Sequence, residues 1–249
     1  MSSLVLRSDD KDGRCTLTLN RPDALNALNT ALFQELDAHL DDIAAQTATI
    51  GCVVLRGAGR SFCAGADLKD ISSGAAATAI PNFKPKVVEK LSHLPQPVVA
   101  QVHGHCFTGG VELALACDLV VAAESARFAD THGKWGLVGA WGLTQRLPRK
   151  IGAARAKEMM FTARIFSARQ AESMGLINSV APDDKLEAEV NALVAAILAN
   201  SWHSNFGNKR LLMQTAALPL DAGLAYEIYY HPGRAPDMHE RLKSFAKKA

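Results

Sequence analysis

Several features are missing from this 249-residue chain, and each absence removes a class of function. No apolar run approaches the ~20 residues that a membrane-spanning helix needs, so no membrane partner is expected. The first ten residues, Met1 to Asp10, have neither a basic leader nor a long apolar stretch, so no secretory signal is expected. The last four, Ala246-Lys247-Lys248-Ala249, carry no lipidation or peroxisomal address. Neither sign of charge dominates: 27 Lys and Arg stand against 25 Asp and Glu, a net charge of +2. That balance gives no basic footprint for nucleic acid, and the basic stretch from Arg146 to Arg155 reads as a solvated face. No Cys-x-x-Cys pair occurs. The five cysteines, Cys15, Cys52, Cys63, Cys106 and Cys117, are odd in number, widely spaced and mostly within apolar runs. They read as buried free thiols in a reducing compartment, so a cytoplasmic location is expected. No His/Cys/Asp grouping has metal-ligand spacing, and no Gly-x-Gly-x-x-Gly or P-loop is present. No metal and no separate cofactor are expected.

What is present is a soluble composition, 48% hydrophobic, able to bury a large core. Residues 4–7 and 15–19 flank Asp10-Lys11-Asp12-Gly13 as a hairpin. Thr30 is placed to cap a helix over 31–45, with Leu32, Leu36, His39, Leu40 and Ile43 on one face. Short buried strands are expected at 52–55, 97–102 and 119–122, with helices near 86–94 and 111–116. The small-residue stretch 72–78 reads as a loop. Beyond residue 151 the pattern turns helical, at about 152–162, 168–174, 183–199, 203–217 and 238–247. The expectation is an α/β core over residues 1–180 and a helical segment over 181–249. That segment is too thin to hide its own apolar faces and must pack on the core or on another subunit.

Two glycine turns carry most of the chemical information. One is Ser61-Phe62-Cys63-Ala64-Gly65-Ala66-Asp67-Leu68, and the other is Gly104-His105-Cys106-Phe107-Thr108-Gly109-Gly110-Val111-Glu112-Leu113. Each follows a strand-like run and leads toward a helix. Such turns expose backbone N–H groups, because glycine permits close approach and a helix start leaves donors unpaired. Ala66 and Gly109 are the candidate donors, placed to hold a developing oxyanion. Glu112 lies three residues beyond Gly109 and so shares its helix face. Its neighbours are apolar or small, which should raise its pKa and suit it to proton transfer. The competing reading is a helix cap: Glu112 is out of register for a Thr108 cap but fits a Gly109 cap.

His132, in Ala129-Asp130-Thr131-His132-Gly133, is a candidate second acid or base, although a loop histidine alone reads first as structural; the same holds for Asp130. His103 and His105 flank Gly104 and read as packing or rim residues. Cys63 as a nucleophile would need a dedicated histidine and sits among apolar residues.

Together these segments resemble the crotonase superfamily, the enoyl-CoA hydratase/isomerase family, over most of the chain. The resemblance starts at Asn20-Arg21-Pro22 with Ala24-Leu25-Asn26-Ala27-Leu28. It runs through both glycine turns, Pro97-Val98-Val99-Ala100, Ala126-Arg127-Phe128 and Gly142-Leu143-Thr144-Gln145-Arg146-Leu147-Pro148-Arg149, and on to Gly175-Leu176-Ile177 and Val180. It implies a spiral of ββα turns with a carboxy-terminal helical region, assembled as a homo-trimer or a hexamer of paired trimers. It implies an acyl-CoA thioester substrate, with coenzyme A arriving as part of that substrate. By position, Ala66 and Gly109 match the two oxyanion-hole N–H groups and Glu112 the first catalytic glutamate. Ala24, Leu25, Ala27, Ala64, Asp67 and Leu68 match positions near the bent coenzyme A, and Gly110 and Trp141 join them as candidate substrate contacts.

The chain departs from the family's pattern in one respect. Where hydratases of the family carry a second glutamate, in Pro-Glu, this sequence has Thr131-His132. Downstream, the family's Pro-Gly-x-Gly-Gly stretch reads Gly139-Ala140-Trp141-Gly142-Leu143, and Trp141 implies a differently shaped acyl pocket. Syn hydration of a 2-enoyl-CoA, with His132 as the second acid/base, is the favoured expectation. Double-bond isomerisation, decarboxylation or hydrolysis, and a silent acyl-CoA-binding protein, are the alternatives. A nucleic-acid-binding role on the same fold is disfavoured by the near-neutral charge.

Overall fold

The computed structural model describes residues 3–72 and 80–246. A hairpin of β1 (Val5–Asp9) and β2 (Arg14–Leu19) leads to α1 (Thr30–Ala45) and β3 (Cys52–Gly57). Then come α2 (Leu68–Ser72), α3 (Phe83–Ser92), β4 (Val98–Val102), β5 (His105–Phe107), α4 (Gly109–Ala116), β6 (Leu119–Ala123) and β7 (Arg127–Ala129). They are followed by α5 (Leu143–Ile151), α6 (Ala153–Thr162), β8 (Phe166–Ser167), α7 (Ala168–Ser173) and β9 (Ser179–Ala181). The described chain ends in four helices, α8 (Leu186–Ala199), α9 (Trp202–Thr215), α10 (Leu220–Tyr230) and α11 (Met238–Ala246).

The strands form two layers. The larger sheet has the order β1-β2-β3-β4-β6-β9, parallel throughout except for the opening hairpin. The smaller has the order β5-β7-β8. Single bridges between Cys63 and Cys106 and between Leu28 and Ala66 continue the second layer. Each turn of the chain thus gives one strand to the long sheet and a short extended piece to the second layer, and then crosses back. This is the expected spiral of ββα units, and the crossovers are what parallel neighbours require. The side-chain period of two divides the long sheet's faces. Val53 and Leu55 of β3 enter the main core, while Cys52 and Val54 turn to the opposite face. There they meet Leu186, Val190 and Val194, one row of α8.

Helices α8 and α9 pack on this core. The Trp202 ring of α9 lies so close over the hairpin turn that a methyl group on Gly13 would stand 2.3 Å from it. The Lys209 ammonium donates to the Gln96 carbonyl (2.9 Å) and the Asp118 carboxylate (2.7 Å). Among the described residues, no helix is long and apolar enough to cross a membrane.

Several sequence expectations change. Asn29, not Thr30, caps α1: its side chain accepts from the Leu32 N–H, and Thr30 is the first helical residue. The helix expected at 86–94 begins at Phe83. The helix expected at 203–217 is α9, and a further helix, α10, follows Pro219 where none was expected. Helix α5 was hidden by Pro148 within it and by its basic residues. Its Arg146 is not part of a solvated face: the guanidinium donates inward to the Trp141 carbonyl (2.9 Å) and the Ser92 hydroxyl (3.2 Å). Of the expected loop 72–78, residues 73–78 lie outside the described residues. All five cysteines are free and buried, as expected.

Asn26 fixes the first glycine turn. It is fully buried in the left-handed region, at φ +56°. Its amide donates to the carbonyls of Ala58 (2.9 Å) and Ser61 (2.7 Å), and its side-chain oxygen accepts from the Arg21 N–H (2.9 Å). Asn26→Ala leaves the buried Ser61 carbonyl and the half-buried Ala58 carbonyl unpaired and places a β-carbon without that amide at positive φ. The expected loss, read by urea unfolding, is about 3 kcal/mol. A loss under about 1 kcal/mol contradicts this role.

Candidate active site

The two glycine turns meet side by side. Gly65, at φ +104°, brings its loop against the turn before α4: a methyl group there would stand 3.0 Å from the Phe107 carbonyl and 3.0 Å from Thr108 Cβ. A methyl group on Gly109 would stand 3.4 Å from the Ala66 nitrogen and 2.5 Å from the Trp141 ring. Neither the Ala66 N–H nor the Gly109 N–H donates a hydrogen bond within the described residues. Two unpaired donors therefore share one narrow space, as the sequence suggested.

Glu112 is buried in α4, at 1% exposure. It does not cap its own helix. Thr108 is the N-cap residue and its side chain makes no capping bond. Instead Glu112 Oε1 accepts from the main-chain N–H groups of Trp141 (2.7 Å) and Leu143 (3.2 Å). Leu143 is the first residue of α5, so the carboxyl sits at a helix N-terminus, where unpaired donors favour an anion. Burial works the other way and prevails. It pushes the Glu112 pKa above the ordinary glutamate value, against the N–H of Trp141, the electrostatic influence of the nearby His132 imidazole and the N–H of Leu143.

The second oxygen faces His132, with Oε2 lying 3.9 Å from Nε2. The imidazole is buried and held from behind. Its Nδ1 is 2.6 Å from Asp130 Oδ1, and its main-chain N–H donates to the same oxygen at 3.1 Å. A carboxylate only accepts, so a hydrogen on Nδ1 serves the bond to Asp130, and Nε2 is the ring nitrogen that faces Glu112. The line runs Asp130, His132, Glu112. Asp130 is 3% exposed and buried with the pair, so its place behind the imidazole is structural information the sequence spacing did not carry.

A cavity of about 280 Å³ reaches this line at His132. Ala64, Ala66, Leu68, Thr108, Thr131 and His132 contribute to its wall. The turn over Pro22–Ala24 packs beside it through main-chain bonds: Ala64 N–H donates to the Leu25 carbonyl (2.9 Å) and Leu28 N–H to the Gly65 carbonyl (2.8 Å). Ala24, Leu25 and Ala27 are half-buried along this seam. Asp67 forms an ion pair with Arg21 at 2.9 Å. Burial opposes its charge, but Arg21 and the N–H groups of Lys69 and Asp70 prevail and hold its carboxyl below the ordinary aspartate value.

Other candidates fall elsewhere. Gly110 faces the Cys63 carbonyl, which a methyl group there would meet at 2.4 Å, so it serves close packing. His103 bonds the Gly59 carbonyl (2.8 Å) and His105 the Ser61 hydroxyl (3.1 Å), so both are structural. Burial pushes the Cys63 thiol up to about 12, which removes it as a nucleophile. Among the described residues no group of three or more His, Cys, Asp or Glu is placed to hold a metal ion. Trp141 stands edge-on to Phe33, with ring centres 5.0 Å apart, and its ring lies over Gly109.

Comparison with known proteins places the chain in a family. The family model described as enoyl-CoA hydratase/isomerase matches residues 9–249. The chain is 35% identical to the 2,3-dehydroadipyl-CoA hydratase of Escherichia coli over 93% of this chain and 91% of that protein. It is 32% identical to a probable enoyl-CoA hydratase of Mycobacterium tuberculosis over 99% and 95%. The crystal structure of an enoyl-CoA hydratase from Bacillus anthracis superposes with a TM-score of 0.91 at 33% identity, covering 98% of this chain and 96% of that one. The same fold, the family model and a match over nearly the whole sequence make this chain an enzyme of the enoyl-CoA hydratase/isomerase family.

Proposed function

We propose that the protein adds water to the double bond of a 2-enoyl-CoA thioester, with His132 as base and Glu112 as acid. The observation that carries this reading is the 3.9 Å gap between His132 Nε2 and Glu112 Oε2, with Asp130 fixed behind the imidazole. That gap is too long for a direct hydrogen bond. One water with bonds of about 2.8 Å to each atom spans it.

The thioester carbonyl accepts from the Ala66 and Gly109 N–H groups. Each such donor is worth about 3–4 kcal/mol at the transition state. Polarisation of the carbonyl makes C3 electrophilic. The water oxygen attacks C3 while His132 Nε2 takes its proton, and the electron pair moves to the thioester oxygen as an enolate. The enolate collapses and C2 takes the proton of Glu112, whose raised pKa keeps it available. A second water entering the 3.9 Å gap then carries the imidazolium's proton back to Glu112. One water has been added, and both parts arrive from the same face. Asp130 steadies the imidazolium between the two transfers.

The paired turns around Leu25 and Ala64 support the bent coenzyme A portion of the substrate at the cavity rim. Buried thiols support a reducing, cytoplasmic setting. The exposed apolar residues Leu220, Leu224 and Ile228 of α10 support assembly as a trimer or a hexamer.

Incubation with short- and medium-chain 2-enoyl-CoA esters, read by product mass, tests the reaction. A gain of one water is expected. An unchanged mass with a moved double bond, loss of CO2 or release of free CoA contradicts it. Glu112→Gln and His132→Ala are each expected to lower kcat by about 10²–10⁴-fold while acyl-CoA binding persists. Full turnover in either variant contradicts the assigned role.

Glu112→Gln should also stabilise the fold at neutral pH. A carboxyl whose pKa is raised by folding binds its proton more tightly in the native state, so its destabilising effect grows as pH rises through that raised value. The variant's gain in Tm should shrink as pH falls toward the ordinary carboxylate range. A gain that is independent of pH contradicts the raised pKa. Trp141→Ala opens the space over Gly109, and the kcat/KM ratio of medium- to short-chain substrates is expected to rise about tenfold. An unchanged ratio removes Trp141 as a limit on the acyl chain.

A further inference from the structure

Thr108 bonds to the main chain of Ala129, the main chain of Glu112 and the side chain of Thr131, and it does so from a backbone conformation unsuited to it. It lies at φ +54° and ψ −110°, a region that glycine enters freely and a β-branched residue does not. Three contacts hold it there. Its N–H donates to the Ala129 carbonyl (2.8 Å). Its carbonyl accepts from the Glu112 N–H (3.1 Å). Its hydroxyl pairs with the Thr131 hydroxyl (2.8 Å). The first and third contacts land on either side of Asp130, the residue that holds the imidazole.

We propose that the Thr108–Thr131 hydroxyl pair is a positioning device that locks the Gly109 oxyanion donor to the Asp130–His132 segment. The logic is geometric. The peptide between Thr108 and Gly109 is a rigid plane, with its carbonyl and N–H on opposite edges. The carbonyl edge is tied to the Glu112 N–H, so the torsion at Thr108 decides where the Gly109 N–H points. A β-branched side chain is stiff at χ1, so anchoring its hydroxyl also anchors that torsion. The anchor is the residue immediately before His132. A movement of the base therefore moves the donor, and the polarised carbonyl and the attacking water stay in register. Both hydroxyls are buried or half-buried in the cavity wall, and their mutual bond leaves this arrangement closed rather than free to slide. The inference rests on the hydration reading for its kinetic test only.

The test uses Thr131→Val, which keeps the shape and removes the hydroxyl at the half-buried, unstrained end of the pair. With a 2-enoyl-CoA substrate, kcat is expected to fall by about tenfold or more while KM stays within about twofold, because misplaced groups cost rate rather than binding. Thr131→Ser restores the hydroxyl and should restore kcat. Thr108→Val combined with Thr131→Val should be no worse than the more impaired single variant, since both remove one interaction. A second readout needs no turnover: the infrared carbonyl band of carbonyl-labelled butyryl-CoA, bound to the full-length protein. Its shift to lower frequency measures how well the two N–H groups are aimed, and Thr131→Val should reduce that shift. An unchanged kcat and unchanged carbonyl band in Thr131→Val, additive losses in the double variant, or no rescue by serine each overturn the proposal. If the parent protein hydrates no enoyl-CoA, the hydration reading fails, and the infrared comparison still decides the positioning role.

Discussion

The site depends on one buried carboxyl group. Glu112 sits in a helix whose other side chains are apolar, where its charge loses the stabilisation of water. Two main-chain N–H groups, from Trp141 and Leu143, take part of that loss back. They also fix Oε1, so that Oε2 is the atom left to face His132. Much of the architecture follows from this arrangement. Helix α5 must start where it does to supply the Leu143 N–H, and Arg146 on that helix ties the Trp141 carbonyl in place. The segment between β7 and α5 must pass over α4, which brings Asp130 and His132 to the same side.

The oxyanion donors obey a different constraint. Their value lies in having no partner within the protein, which a folded chain tolerates only where something else will accept. The two-layer spiral supplies that place. Its second layer is built from fragments of two or three residues and isolated bridges, so the chain enters and leaves it within a few peptides. Gly65 allows the first fragment to lie against the second, and Asn26, from the preceding spiral turn, clamps the start of that loop. The long sheet contributes rigidity beneath, with α8 closing its far face.

The parts of this that the sequence disclosed were those written in local chemistry. The long strands were legible as apolar runs, and α1 by its repeating face of Leu32, Leu36, Leu40 and Ile43. The glycine turns and Glu112 stood out because a carboxylate among apolar neighbours is unusual. The second layer was not legible, since β5, β7 and β8 are too short to display an alternation. Helix α5 was masked by Pro148, and α10 passed unread because its apolar residues are not confined to one face. His132 is a candidate acid or base by its chemistry, but a loop histidine reads first as structural, and only resemblance to a family position raises it above that. Its partnership with Asp130 is an i, i+2 contact across a turn, which no helix or strand period signals. Thr108 and Thr131 are 23 residues apart, and only the crossing of two turns joins them. The strain at Thr108 is likewise invisible until the backbone is known.

Acid and base are assigned to Glu112 and His132 through the side of the imidazole that carries its hydrogen. Nitrogen NMR of the protein labelled at its histidines, with His132 assigned by its absence in a variant, reads this directly. The neutral ring is predicted to carry its hydrogen on Nδ1, bonded to Asp130, with a lone pair on Nε2. A neutral ring with its hydrogen on Nε2 would leave no base facing the water and would contradict the account.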